Sequence, residues 1–174
     1  MEDELKKGSI ASQIVLISSA LSRLDTGDRA ELRRGYQPYP AAFWELTKDI
    51  DIDANPPLKR IKEKKWYVII QIMALLSGVA GKEPHRKGAR KIGELLAENG
   101  FSENRLLKLL SAVEDSKNEL LIRAIRFLQS KKIAELDCVQ LAHFVFTKGD
   151  TYIIANDIAR DYYKIQNKKE KKEN

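Results

Sequence analysis

The chain has 174 residues, 43% hydrophobic and 32% charged, which suits one folded domain, or two small lobes sharing a core, with a real interior. Thirty-one Lys and Arg against 25 Asp and Glu leave a formal charge of +6, which attracts polyanions without specifying a fold. One cysteine excludes an internal disulfide, and Met1-Glu2-Asp3-Glu4 has no signal-peptide pattern, so a soluble, cytoplasmic protein is expected.

Ile10, Ile14, Ile17, Leu21 and Leu24 repeat at helical spacing and predict a buried stripe. The next segment, Leu24-Asp25-Thr26-Gly27-Asp28-Arg29-Ala30-Glu31-Leu32-Arg33-Arg34-Gly35, holds a helix start, an arginine-rich helix and a stop. Asp25 or Thr26 can cap it, Asp28 suits its first turn, and Gly35 can close it in the left-handed conformation. Arg29 and Arg33 share a face, with Arg34 about 100° further round. Such guanidinium groups on a short rigid element can grip phosphates. The plain alternative is an exposed helix laced by pairs such as Glu31 with Arg34.

A turn at Tyr36-Gln37-Pro38-Tyr39-Pro40 leads into a helix from Ala41, with Pro40 suited to a first helical position. Asp49 to Pro57 is expected to be a loop, because two prolines cannot continue a helix. Trp66 to Ala80 is apolar on almost all sides and predicts the central helix, ended by Gly78 and Gly81. Gln71 and Ser77 interrupt it, and it is shorter than the roughly 20 residues that span a bilayer, so no membrane partner is expected. A basic loop, Gly81 to Gly88, precedes a helix over Ala89 to Glu98. Ser102 can cap the next helix, whose leucines at 106, 107, 109 and 110 feed the core. Further helices are predicted over Leu120 to Ser130, Cys138 to Phe146 and Thr151 to Gln166, the second opened by an Asp137–Gln140 capping box. These segments predict an all-α fold, a bundle of about eight or nine helices in one domain over residues 1–167. It divides into sub-lobes at about 9–80 and 86–167, and residues 168–174 form a frayed basic tail.

Catalytic chemistry is missing. His85 reads as a solvated loop residue and His143 as a hydrogen-bonded core residue. Cys138 opens a helix, where a thiolate would be favoured, yet has no second cysteine or acid–base set beside it, so a structural role is expected. Asp49, Asp51 and Asp53 lack the glycine and terminal glutamate of a calcium loop. No phosphate loop, dinucleotide fingerprint or nucleophile elbow is present, so neither metal nor cofactor is expected and the chain reads as a binder.

Positive charge gathers at Lys59, Arg60, Lys62, Lys64 and Lys65, again at Lys82, Arg86, Lys87, Arg90 and Lys91, and at the pairs Arg105 with Lys108 and Arg123 with Arg126. On one surface these form a track for a sugar-phosphate backbone; on several they are solubilising charge. Phe43, Trp44, Trp66 and Tyr67 are expected in the core, whereas Tyr36 and Tyr39 are the candidates for base stacking.

The sequence resembles the CasB family, the small subunit of the type I-E CRISPR complex Cascade, from about Ile14 to Tyr163. The resemblance rests on Leu24-Asp25-Thr26-Gly27 with Ala30-Glu31-Leu32-Arg33-Arg34, on Phe101-Ser102-Glu103-Asn104-Arg105-Leu106-Leu107-Lys108-Leu109-Leu110, and on Ala159-Arg160-Asp161-Tyr162-Tyr163. It implies two packed helical lobes, no enzymatic activity, and two copies within a crRNA-guided assembly. In that family the subunit stabilises the displaced non-target DNA strand and braces the RNA–DNA hybrid, while a separate protein cleaves. Arg33, Arg34 and Arg105 carry over from the matching motifs as nucleic-acid contacts. Arg29 is added by its helix face, and Arg86, Lys87, Arg123 and Arg126 by charge clustering. Phe146 and Ile158 stand where the family commonly has tryptophan, which touches packing detail. The competing reading is a structural adaptor that binds guide RNA or acidic protein surfaces without touching DNA.

Overall fold

The computed structural model describes residues 9–35, 37–50, 52, 56–78, 83–86, 88–146 and 151–173. Within them lie nine helices and no strand: α1 (Ile10–Arg23), α2 (Thr26–Arg34), α3 (Ala41–Thr47), α4 (Pro56–Ser77), α5 (Ile92–Glu98), α6 (Glu103–Ser111), α7 (Glu114–Ser130), α8 (Cys138–Phe146) and α9 (Thr151–Glu173). The all-α expectation is met, and local chemistry explains several boundaries. Ser9 caps α1, its Oγ accepting from the Ser12 N–H at 3.2 Å. Asp25 rather than Thr26 caps α2, its Oδ1 accepting from the Asp28 N–H at 2.8 Å. Gly35 ends α2 at φ +75°, the left-handed conformation expected of it.

Helix α4 is the axle. It is buried from Trp66 to Ser77 and packs against α1, α2, α7 and α8. Its start corrects the sequence reading, because the helix begins at Pro56 instead of after the prolines. First-turn N–H groups have no intrahelical acceptor, so a proline there gives up no helix bond. The basic stretch Lys59 to Lys65 therefore belongs to the opening turns of the central helix.

Around α4 one continuous core collects the α1 stripe (Ile14, Ile17, Leu21), Phe43 of α3, Leu95 and Leu96 of α5, Leu121 and Leu128 of α7, Phe144 of α8 and Ile158 of α9. Helices α5 and α9 approach most tightly at Gly93, where an added Cβ would lie 2.2 Å from the Ile158 carbonyl oxygen. Ile158 is fully buried and Phe146 packs on Trp66 at a ring separation of 5.0 Å, so both positions keep apolar contacts.

Three further expectations are corrected. His85 is buried, not solvated: its backbone N–H donates to Ser18 Oγ at 3.1 Å, and its Nδ1 accepts from the Cys138 N–H at 3.3 Å. The imidazole thus serves a first-turn donor of α8 that no helix carbonyl can reach. His143 lies exposed on the outer side of α8 instead of in the core. Residues 168–173, expected to fray, continue α9. Lys169 holds them down, its Nζ donating to the carbonyls of Ala97 at 2.8 Å and Glu98 at 3.3 Å at the end of α5.

The Asp137–Gln140 capping box is half formed. Asp137 Oδ1 accepts from the N–H groups of Val139 and Gln140, but its own N–H donates to the Arg90 carbonyl at 2.9 Å. Ser102 occupies the cap position of α6 without a side-chain bond to it. No helix among the described residues is long and apolar enough to cross a membrane.

Candidate nucleic-acid interface

Basic side chains in this molecule divide into those with internal partners and those without. Three lysines act as remote helix caps: Lys65 donates to the Phe146 carbonyl at 2.9 Å, Lys117 to that of Phe144 at 2.9 Å, and Lys169 to α5. Lys65 and Lys117 also lie over the rings of Phe146 and Phe144, which puts two cations against the negative end of the α8 dipole. Burial pushes the Lys117 ammonium below its ordinary range, with Glu114 opposing.

Other cations face carboxylates. Arg86 pairs with Glu135 at 3.0 Å, Arg123 with Glu119 at 3.8 Å, Lys64 with Asp115 at 2.6 Å, Lys91 with Asp161 at 3.5 Å, and Arg90 with Glu94 and Glu98. Glu98 also holds the Arg90 guanidinium above its ordinary range. Exposed pairs of this kind add little stability but do engage the cation. Two of the candidates from charge clustering, Arg86 and Arg123, are engaged in this way, and Lys87 lies outside the described residues, as do Tyr36, Asp51, Asp53 and Lys82.

Arg34, Arg105 and Arg126 are exposed and have no ion-pair partner among the described residues. The Glu31–Arg34 pair of the plain reading is not formed. Arg33 is half-buried, its Nε donating to the Arg29 carbonyl at 3.1 Å and its Nη1 lying over Gly78 at the end of α4. Arg29 is also half-buried, with an Nε that has no hydrogen-bond partner among the described residues.

Two amides fasten the helices that carry Arg33, Arg34 and Arg126 to α4. Gln71 Nε2 donates to the Arg33 carbonyl at 3.1 Å, which fastens the end of α2 to α4. Gln129 Nε2 donates to the Leu75 carbonyl at 3.1 Å, which fastens the end of α7 to the next turn of α4. Gln71 and Leu75 are four residues apart, about 6 Å along the axis. The arginine-bearing end of α2 and the stretch of α7 holding Arg126, a neighbour of Gln129 on the helix surface, therefore converge on the C-terminal half of α4. Lys131 and Lys132 follow directly, Lys131 resting over the Phe127 ring at 5.6 Å. Arg105 projects from α6, which packs on α7 and α9.

Sequence reasoning passed over Gln71 and Gln129. A lone amide in an apolar helix was the available signal for Gln71. Aromatic placement also differs. Phe43, Trp66 and Tyr67 are buried as expected, but Trp44 is 49% exposed. Tyr39 packs on Phe43 at 4.7 Å and Tyr67 at 4.4 Å, which engages the ring that sequence had offered for stacking. Burial and Tyr39 together raise the Tyr67 phenol above its ordinary range. Cys138 is fully buried, its thiol pushed far up by desolvation with Asp137 adding, so it is no nucleophile. Among the described residues no cluster of His, Cys, Asp and Glu could hold a metal ion.

Comparison with solved structures gives the fold independently. A chain of the E. coli Cascade complex bound to a PAM-containing double-stranded DNA target superposes with a TM-score of 0.62 at 18% identity, covering 88% of this chain and 96% of the other. CasB from Thermus thermophilus gives 0.64 at 21% identity, covering 90% and 98%, and CasB from Thermobifida fusca gives 0.65 at 16%, covering 88% and 94%. No curated protein matches the sequence. The family described as CRISPR-associated protein Cse2 matches residues 28–163, most of the length, and the chain belongs to that family.

Proposed function

We propose that this protein is the non-catalytic small subunit of a crRNA-guided Cascade complex, which holds nucleic-acid backbone and stabilises the displaced non-target strand and the R-loop. The observation that carries this reading is that the ends of α2 and α7 are both fastened to the C-terminal half of α4, with Arg34 and Arg126 exposed and without an ion-pair partner among the described residues. Membership of the Cse2 family supports it, as does the likeness to a chain of a DNA-bound Cascade complex. Guanidinium groups contact phosphates in any sequence, so binding has weak base preference and strong salt dependence. Sequence reading is left to base pairing of the guide. The partners are the other Cascade subunits, crRNA, target DNA and a second copy of this chain, in the cytoplasm.

Reconstituted complex carrying Arg34→Ala and Arg126→Ala tests the reading. Retention of target DNA is expected to weaken alike across sequences, and the salt slope to fall by roughly 0.7 per lost single-strand phosphate contact. Unchanged retention and slope would remove the arginine site.

The adaptor reading has its own observation. Leu58 of α4 is 50% exposed, and Tyr152 and Ile153 of α9 are 76% and 60% exposed, which suits protein contacts. Crosslinking from labelled non-target strand separates the two: adducts on this subunit favour the strand-holding function, and their absence favours the adaptor.

A further inference from the structure

The family match covers residues 28–163, and α9 runs on to Glu173. The extension is docked, because Lys169 Nζ donates to the carbonyls of Ala97 and Glu98. On its outer side stand Lys164, Lys168 and Lys171, all exposed, with no hydrogen bond or ion pair among the described residues. Their i, i+4, i+7 spacing places them on one stripe about 10 Å long. Arg160 extends the stripe by one turn and is held to Asp157 at 2.8 Å. Glu170 points elsewhere, lining a cleft of about 480 Å³ beside Glu103 and Tyr163.

Three like charges at this spacing repel and lower helix stability. A face needed only for solubility would gain from an acid placed four residues before a lysine. This stripe has none: position 160 is arginine and 167 is asparagine, while Lys168 follows Lys164 itself. The helix thus holds three ammonium groups in a row, without an ion-pair partner among the described residues and anchored from behind by a fourth lysine.

We infer that the α9 extension is a second nucleic-acid contact, in which Lys164, Lys168 and Lys171 hold the phosphodiester backbone of a single strand. Spread along about 10 Å of the helix, the three ammonium groups can each reach a phosphate of a strand laid along it. Compact ammonium groups act as point charges there, which gives salt-sensitive holding without base recognition. The ligand class is shared with the proposed function, but the inference does not use its arginines.

The test uses the full-length protein and fluorescein-labelled 30-nucleotide single strands, one DNA and one RNA, titrated across a salt series. Three variants are compared with wild type: Lys164→Gln/Lys168→Gln/Lys171→Gln, the matching triple Arg variant, and Arg34→Ala/Arg126→Ala. Far-ultraviolet circular dichroism checks that α9 persists. The Gln variant is expected to lose about two units of the log–log salt slope, at roughly 0.7 per contact, while the Arg variant keeps it. A larger loss with RNA names the guide as the source, a larger loss with DNA names the displaced strand, and equal loss names a backbone grip common to both. A Gln variant with unchanged slope and intact helix would overturn the α9 contact, whatever Arg34→Ala/Arg126→Ala does. Loss in the Gln variant alone would keep the α9 contact and remove the arginine site. Wild type binding neither strand in a salt-dependent way would overturn both.

Discussion

Arg33 Nη1 lies 2.8 Å from the point where a Cβ on Gly78 would stand. The guanidinium is thus seated over the bare backbone at the end of α4, while its Nε holds the Arg29 carbonyl. Arg33 orders the end of α2, and its neighbour Arg34 faces solvent. Gly78→Ala is therefore expected to leave the urea midpoint almost unchanged, because the far end of an arginine can swing away; a shift within about 0.5 kcal/mol is anticipated. DNA retention by the complex should fall toward that of Arg33→Ala. Full retention in Gly78→Ala, with Arg33→Ala impaired, would show that Arg33 does not need this seat.

Gly93 is the opposite case. A Cβ there would meet the Ile158 carbonyl oxygen at 2.2 Å and the Tyr162 nitrogen at 3.1 Å, and backbone cannot rotate aside. Gly93→Ala must separate α5 from α9, at a cost of about 1–3 kcal/mol or more by overpacking. Chemical denaturation of the purified chain reads this directly. A midpoint equal to that of Gly78→Ala would contradict the close packing of α5 on α9.

How far the sequence could be read depends on where each decisive partner sits. The α1 stripe and the Asp25 and Gly35 stops of α2 are local, and both were legible. The α4 start was misplaced because proline is forbidden inside a helix but accepted in its first turn, a matter of position and not of residue type. His85 and the end of α9 were misread because their partners are remote: His85 meets Cys138 across 53 positions, and Lys169 meets Ala97 across 72. The same distance hid how the arginine motif is seated. The arginine pair was visible as a motif, but the fastening of α2 and α7 to α4 depends on Gln71 and Gln129, and a sequence does not say which carbonyl an amide will find.

Lys65 and Lys59 share a helix and a charge but not a role. Lys65 donates to the Phe146 carbonyl, closing an orphan acceptor at the end of α8, whereas Lys59 is exposed without a partner among the described residues. Lys65→Met keeps the aliphatic stem on Phe146 and removes the donor, so a loss of about 1 kcal/mol is expected. Lys59→Met should stay within about 0.5 kcal/mol of wild type. Equal urea midpoints for the two variants would mean that water replaces the Lys65 ammonium at no cost.

The buried Cys138 thiol gives the protein an alkaline stability limit. Its pKa is raised above the ordinary value of 9.0, first by desolvation and then by Asp137. Below that ordinary value folded and unfolded chains both keep the proton, and the favourable contribution is complete. Above about pH 9 the unfolded chain releases its proton while the buried thiol retains it, so stability falls as pH rises, at up to about 1.4 kcal/mol per pH unit. Cys138→Ala abolishes this slope and adds a constant cavity penalty. Tyr67, raised as well, and Lys117, lowered, titrate in both proteins and cancel in the difference. Urea unfolding from pH 8 to 10.5 should therefore give curves for wild type and Cys138→Ala that run parallel up to about pH 9 and then converge; curves parallel throughout would mean that water reaches the thiol beneath α8.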